Sequence, residues 1–193
     1  MRRIILASGS KARERLLKQI GLKFQVAVSH VRESRYIKTR CSDLVVSNAL
    51  RKSRDVAEKF GSGIVIGADT VVLVGDKIIG KPKDKKDAFR ILRLLSRRPQ
   101  WVYTGLAVID IDNDETFTAC DKTKVYMQRL DDRQIRNYFR KVSPLDKAGA
   151  FDIQGLGSIF IDRIEGCFYN VVGLPLSKLA VILKRVDIDI FNL

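Results

Sequence analysis

The sequence predicts an α/β chain, read as a single domain over residues 1–193 with no linker. Two observations point there. Short β-branched runs alternate with stretches whose apolar residues recur at helical spacing, beginning with residues 4–7 and then 11–20. No low-complexity tract, linker or internal repeat interrupts that alternation. With 46% apolar and 30% charged residues, the chain is long enough for one large core or two closely joined lobes.

Residues 4–7 read as a buried strand, Ser8-Gly9-Ser10 as a small-residue turn and residues 11–20 as a helix. Ser10 is suited to the N-cap, and Gly21 stops the helix just past its end. The turn leaves backbone N–H groups free at a helix N-terminus, where an anion sits well. Arg13 falls in the first turn, where a cation opposes the helix dipole unless something negative binds nearby. Residues 24–28 read as a second strand and residues 30–35 as a polar loop, with His30 and Glu33 taken for surface residues. Ser42 is the expected cap of a long helix to about Phe60, with Leu44, Val45, Ala49, Val56 and Phe60 as its core stripe. Lys52 lies beside that stripe, where its stem can pack while its ammonium reaches a cleft.

Residues 64–74 are strongly β-branched, and Gly75-Asp76 marks a tight hairpin into residues 77–79. That return brings Lys81 back toward Asp69. Asp84 caps a helix to about Ser96, with Ala88, Phe89, Leu92 and Leu95 inward. Residues 101–111 form a strand in which Thr104-Gly105 marks a bend or a close approach, and residues 116–130 are its hairpin partner. Asp131 caps a helix with Ile135, Tyr138 and Phe139 on its apolar face. Residues 146–157, rich in glycine, suit either a loop that lets a ligand reach the backbone or an ordinary omega loop. A strand at 158–161 follows, and Pro175 opens the last helix.

Within this frame, Asp69 is the residue that needs a reason. A lone carboxylate between Ile64-Val65-Ile66 and Val71-Val72-Leu73-Val74 must be solvated by a cleft, paired with a cation or bound to a metal, because an isolated buried charge is very costly. The other reading is a turn carboxylate at a strand end. The net charge of +14 fits a polyanionic partner, either a phosphorylated small molecule or a nucleic acid. Nucleic acid is disfavoured by the lack of a recognised motif and of aromatics interleaved with the basic runs. Cys41, Cys120 and Cys167 suggest neither a disulfide framework nor a zinc site. No apolar run reaches the roughly 20 residues of a membrane helix, and the expected location is the cytoplasm.

Three blocks, LASGSKARERLLKQIG from Leu6, GADTVVLVGDKIIGKP from Gly67 and DKAGAFDIQGLGSIFIDRIEGCFYNVVGLPL from Asp146, resemble the Maf family of nucleoside triphosphate pyrophosphatases almost end to end. The resemblance implies an elongated Maf/Ham1-like α/β fold, with a bent mixed sheet flanked by helices and two lobes around a deep cleft. It implies that Asp69 is the general base, that Lys52, Lys81 and Arg13 bind the triphosphate, and that Ser8 is a cleft hydroxyl. Glu33, with Asp69, matches the position that holds a divalent cation, Mg²⁺ or Mn²⁺. Thr70 and Gln154 match positions linked to base choice in the dTTP/UTP branch. Where the family usually has Ser-Pro-Arg-Arg, this chain has Ser10-Lys11-Ala12-Arg13, and Lys11 is the candidate for the charge that Ala12 lacks.

The implied activity is hydrolysis of dTTP, UTP or modified pyrimidine nucleotides to the monophosphate and pyrophosphate, a house-cleaning of the nucleotide pool. The alternatives are a purine or 7-methyl-GTP pyrophosphatase of the same superfamily and a basic nucleic-acid-binding or septum-regulating protein. The expected partner is the nucleotide, with a homodimer open and no membrane.

Overall fold

The structure, a computed structural model, describes residues 2–34, 40–145 and 147–192. Arg35 and Asp146, both read above as loop residues, lie outside them. Among the described residues, seven strands form one mixed sheet: β1 (Ile4–Leu6), β2 (Gln25–Val26), β3 (Ile64–Val74), β4 (Lys77–Ile79), β5 (Gln100–Asp110), β6 (Glu115–Met127) and β7 (Ile161–Glu165). Their order is β2-β1-β3-β5-β6-β7, with β4 paired to β3. The helices are α1 (Lys11–Gln19), α2 (Cys41–Ala57), α3 (Lys85–Leu95), α4 (Asp132–Lys141), α5 (Phe168–Val172) and α6 (Leu176–Arg185). None is long and apolar enough to cross a membrane.

The chain divides into two compact units, and β3, β5 and β6 contribute residues to both. The first comprises Met1–Thr70, Thr104–Asp121 and Tyr169–Leu193. Here β1 lies parallel to both β2 and β3, with Ile5 opposite Gln25 and Val65. Alternation along these strands builds two apolar layers. Ile4, Leu6, Ile64, Ile66, Leu106 and Val108 pack with Leu16 and Leu17 of α1 and Leu179, Ile182 and Leu183 of α6. Ile5, Ala7 and Val65 on the opposite face pack with Val56 of α2. Each of these large side chains contributes about 1.5–3 kcal/mol on leaving water, which is why parallel strands covered on both faces read as nearly continuous apolar runs.

The helix ends follow local chemistry. Ser10 caps α1 by accepting from Arg13 N, and at the far end Leu22 N bonds to Leu17 O and Gly21 N to Lys18 O, a Schellman arrangement. The expectation that Ser42 caps α2 is corrected: Arg40 occupies the cap with no side-chain bond, and the Ser42 hydroxyl turns to Asp43 at 3.3 Å. The helix also stops at Ala57, short of Phe60. Strand β2 retains only two of the five residues expected of it, with both side chains exposed.

The second unit comprises Val71–Tyr103 and Lys122–Phe168. The hairpin expected at Gly75-Asp76 is present, with Val74 opposite Lys77 and Val72 opposite Ile79. Asp84 caps α3 through a 2.7 Å bond from Asp87 N, and Asp131 caps α4 in a reciprocal box with Gln134. Phe89 and Phe139, expected inward, are half-buried. The strand expected at 158–161 is corrected: residues Leu156–Phe160 form a 3-10 turn, and β7 begins at Ile161. Gly157 lies inside that turn, where a side chain would stand 2.7 Å from Asp152 O and 3.0 Å from Tyr138 Oη. Helix α5 has no counterpart in the sequence reading.

Candidate active site

Asp69 and Thr70 are neighbours on β3, so the strand sends their side chains to opposite faces. Asp69, 4% exposed, faces α2. That helix can lie close because a side chain at Gly67 would stand 2.8 Å from Ala49 O, while one at Gly105 would run into the Val45 carbonyl. The close approach expected at Thr104-Gly105 is therefore that of α2.

Two side chains one helical turn apart on α2 hold Asp69: Asn48 donates to Oδ2 at 2.9 Å and Lys52 to Oδ1 at 2.7 Å. Asn48 also donates to Ser34 O at 2.9 Å and accepts from Ser34 N at 3.0 Å. These two bonds pin the loop to α2 and put Glu33 beside Lys52, whose ammonium donates to Glu33 Oε1 at 2.7 Å. A single ammonium thus bridges a buried carboxylate and an exposed one.

On the other face of β3, Arg13 is 9% exposed and donates from Nε to Gly173 O at 2.8 Å, from one Nη to Ser8 Oγ at 3.1 Å and from the other to Thr70 Oγ1 at 3.0 Å. Gly173 sits at φ 115, a left-handed conformation that offers its carbonyl to the guanidinium. Three of the five N–H groups of Arg13 are engaged in these bonds. Burial pushes its pKa below the ordinary value, and the carboxylates of Asp69 and Glu33 push it back.

The hydroxyls beyond Arg13 have a defined direction. Thr104 donates to Asn170 O at 3.0 Å, which uses its one proton. The 2.9 Å contact between Thr70 and Thr104 must then be donated by Thr70. Thr70, already accepting from Arg13, has only a lone pair left to offer.

The first unit therefore holds Ser8, Arg13, Glu33, Lys52, Asp69 and Thr70 of the residues the sequence singles out, as two groups on opposite faces of β3: Glu33, Lys52 and Asp69 on one, Ser8, Arg13 and Thr70 on the other. Lys81 and Gln154 belong to the second unit. Lys81 is exposed just after β4, and Gln154 is exposed in a turn where its N–H bonds to Asp152 Oδ1 at 3.0 Å. Lys11, the candidate for the charge that Ala12 lacks, has a side chain 82% exposed that pairs with Glu14 at 2.9 Å. Asn48, Thr104 and Gly173 escaped the sequence reading of the site. Asn48 carried a signal, as a polar residue one turn before Lys52 on an otherwise apolar helix face.

Two carboxylates on one ammonium are a limited but workable donor set for a hard cation. Among the described residues no three Asp, Glu, His or Cys side chains cluster as a metal site. Mg²⁺ and Mn²⁺ are commonly held by one or two carboxylates plus substrate phosphates and water, and Glu33 with Asp69 fits that pattern. Charge supports it too: Arg13 and Lys52 are balanced by Glu33 and Asp69, so this cluster has no net positive charge to meet a triphosphate.

The structure superposes on the Ham1 protein of Staphylococcus aureus with a TM-score of 0.53, over 95% of this chain and 99% of that one, at 18% identity, a likeness of fold. In sequence the chain is 45% identical to a dTTP/UTP pyrophosphatase of Methanosarcina barkeri, over 100% of this chain and 98% of the relative. It is also 45% identical to one of Bacillus anthracis, over 98% of each. The profile of the Maf-like protein family matches residues 3–186, and the chain belongs to that family.

Proposed function

We propose that this chain hydrolyses dTTP and UTP between the α- and β-phosphates, releasing the nucleoside monophosphate and pyrophosphate. The observation that carries the reading is the Asp69 carboxylate, buried yet held, among the described residues, by two side-chain donors, Asn48 and Lys52. The names of the relatives, dTTP/UTP pyrophosphatase, support the choice of substrate.

Asp69 accepts the proton of the attacking water as its oxygen bonds to the α-phosphorus and the bond to the bridging oxygen breaks, so that pyrophosphate leaves. Phosphate transfer of this kind is catalysed mainly by positioning and charge neutralisation. Lys52 holds Asp69 in place and offers its ammonium to a phosphate oxygen. Arg13, fastened by Ser8, Thr70 and Gly173, has two N–H groups left for a second one. Mg²⁺ or Mn²⁺ held by Glu33 and Asp69 would supply further positive charge on the triphosphate. For Lys81 and Gln154 the support is the sequence resemblance, which assigns phosphate binding to the first and base choice to the second. The reading carries a cytoplasmic setting, where the nucleotide pool is.

The test is pyrophosphate release across canonical and modified triphosphates, each with Mg²⁺ and with Mn²⁺. The highest kcat/KM is expected on dTTP and UTP. Preference for a purine or 7-methyl-GTP would move the assignment within the superfamily, and inactivity on every triphosphate would overturn it.

A further inference from the structure

The second unit carries a surface that this hydrolytic reading does not use. On one face of its sheet, Lys122 stands 5.1 Å and Lys124 5.4 Å from the ring centre of Trp101. Lys124 is also 5.1 Å from the Tyr126 ring, and the Arg163 guanidinium lies 3.7 Å from that ring's centre. Alternation along β6 places Lys122, Lys124 and Tyr126 on the same side, and the register puts Arg163 directly across from Tyr126. Cation, ring, cation, ring, cation therefore follow one another across three strands, an interleaving invisible in the linear sequence because Trp101, Tyr126 and Arg163 come from separate segments.

At the Tyr126 end this row meets a concavity of about 400 Å³ lined by Arg97, Arg98, Arg129, Tyr126 and Asp162, among others. The three arginines are exposed, and none of them has a carboxylate partner among the described residues. Asp162, the one carboxylate in the lining, lies 3.7 Å from Arg163. Glu165 also pairs with Arg163, at 3.3 Å, so among the described residues the three arginines of the concavity meet one lining carboxylate, itself paired with Arg163.

We propose that this face binds single-stranded nucleic acid, with Arg97, Arg98 and Arg129 taking backbone phosphates while Trp101 and Tyr126, with the Arg163 plane, stack on bases. Unpaired guanidiniums match phosphate oxygens. Aromatic rings flanked by cations are the usual platform for unstacked bases, a contact that a duplex does not offer. The repeat favours a strand over a free nucleotide: from Lys122 to Met127, β6 runs about 17 Å at about 3.4 Å per residue, and one base cannot serve two rings.

The experiment uses the full chain and fluorescence anisotropy of a labelled oligodeoxythymidylate, with a random-sequence duplex, heparin and free UTP as competitors. The expected result is salt-dependent binding that the duplex displaces poorly. Arg97→Glu with Arg98→Glu and Arg129→Glu should weaken it at least tenfold, and Trp101→Leu about tenfold, with pyrophosphate release unchanged. The exposed arginine variant keeps the test informative if Trp101→Leu fails to fold. No binding at low salt overturns the proposal. So does equal displacement by heparin with no effect of the ring variant, which would mean charge alone. Competition by UTP at its KM, with loss of hydrolysis in the variants, would reassign the face to the nucleotide substrate and leave the hydrolytic reading standing.

Discussion

Asp69 and Asp110 are both buried aspartates on strands of the first unit, 4% and 0% exposed, and their surroundings differ in one respect. Asp110 accepts from five donors: both terminal nitrogens of Arg2, the backbone N–H groups of Asp112 and Asn113, and the Asn113 amide. Among the described residues Asp69 accepts from two, and one of them, Lys52, is shared with Glu33, whose side chain is 45% exposed. A carboxylate saturated by backbone and arginine donors has no capacity left for substrate. One held in place by two side chains keeps lone pairs for a proton or a cation, and its desolvation is offset by an ammonium that can also turn to a phosphate. The contrast supports the proposal that Asp69 works in the chemistry while Asp110 holds the fold.

The largest effect expected from this contrast is on turnover. Asp69→Asn should lower kcat by roughly 10²–10⁴-fold, the usual contribution of a general base, while its melting temperature stays near that of the parent. Full activity in that variant, measured by pyrophosphate release, would remove Asp69 from the chemistry.

Asp110→Asn should do the reverse, leaving kcat in place and costing stability. The Arg2 guanidinium, with the Asn113 donors, holds the Asp110 carboxyl down to about 2 from an ordinary 3.8. Since the folded pKa is the lower one, the stabilisation is complete above the ordinary value and is lost as pH falls from about 4 through about 2. It amounts to at most about 2 kcal/mol, because Arg2 keeps 27% of its side chain in water. Urea unfolding at pH 7 and at pH 2.5 should show the variant destabilised at the first and by only about a third as much at the second. An unchanged difference at both would mean that the charge of Asp110 does not matter.

The smallest effect concerns the hydroxyl chain behind Arg13. Thr104→Val keeps the shape but leaves Asn170 O without the Thr104 hydroxyl and Thr70 without its acceptor, a loss of about 1–2 kcal/mol in positioning. kcat should fall several-fold to about tenfold, and Thr104→Ser should restore it. A loss of stability at unchanged kcat would make the chain purely structural.

Most of the fold is legible in the sequence where structure is local. Ser10, Asp84 and Asp131 cap their helices because each side chain satisfies an N–H three residues away. The Gly75-Asp76 hairpin is equally local. The misreadings occur where local signals compete. Ser42 has the chemistry of a cap, yet its hydroxyl bonds to Asp43 inside the helix. The apolar run at 158–161 is too short for its period to distinguish a strand from a 3-10 turn, and α5, at five residues, is too short to show a stripe.

By itself the sequence determined the alternating α/β order, the family, and Asp69, Lys52 and Arg13 as the residues in need of an explanation. Only the tertiary structure decided what each of them touches. Asn48 serves as the clamp on Asp69 because glycines at 67 and 105 let α2 settle against the sheet, and Thr70 is left acceptor-only because Thr104 spends its proton on a carbonyl 66 residues away. Hydrogen-bond direction and close backbone approach arise between segments distant along the chain, and no local pattern encodes them.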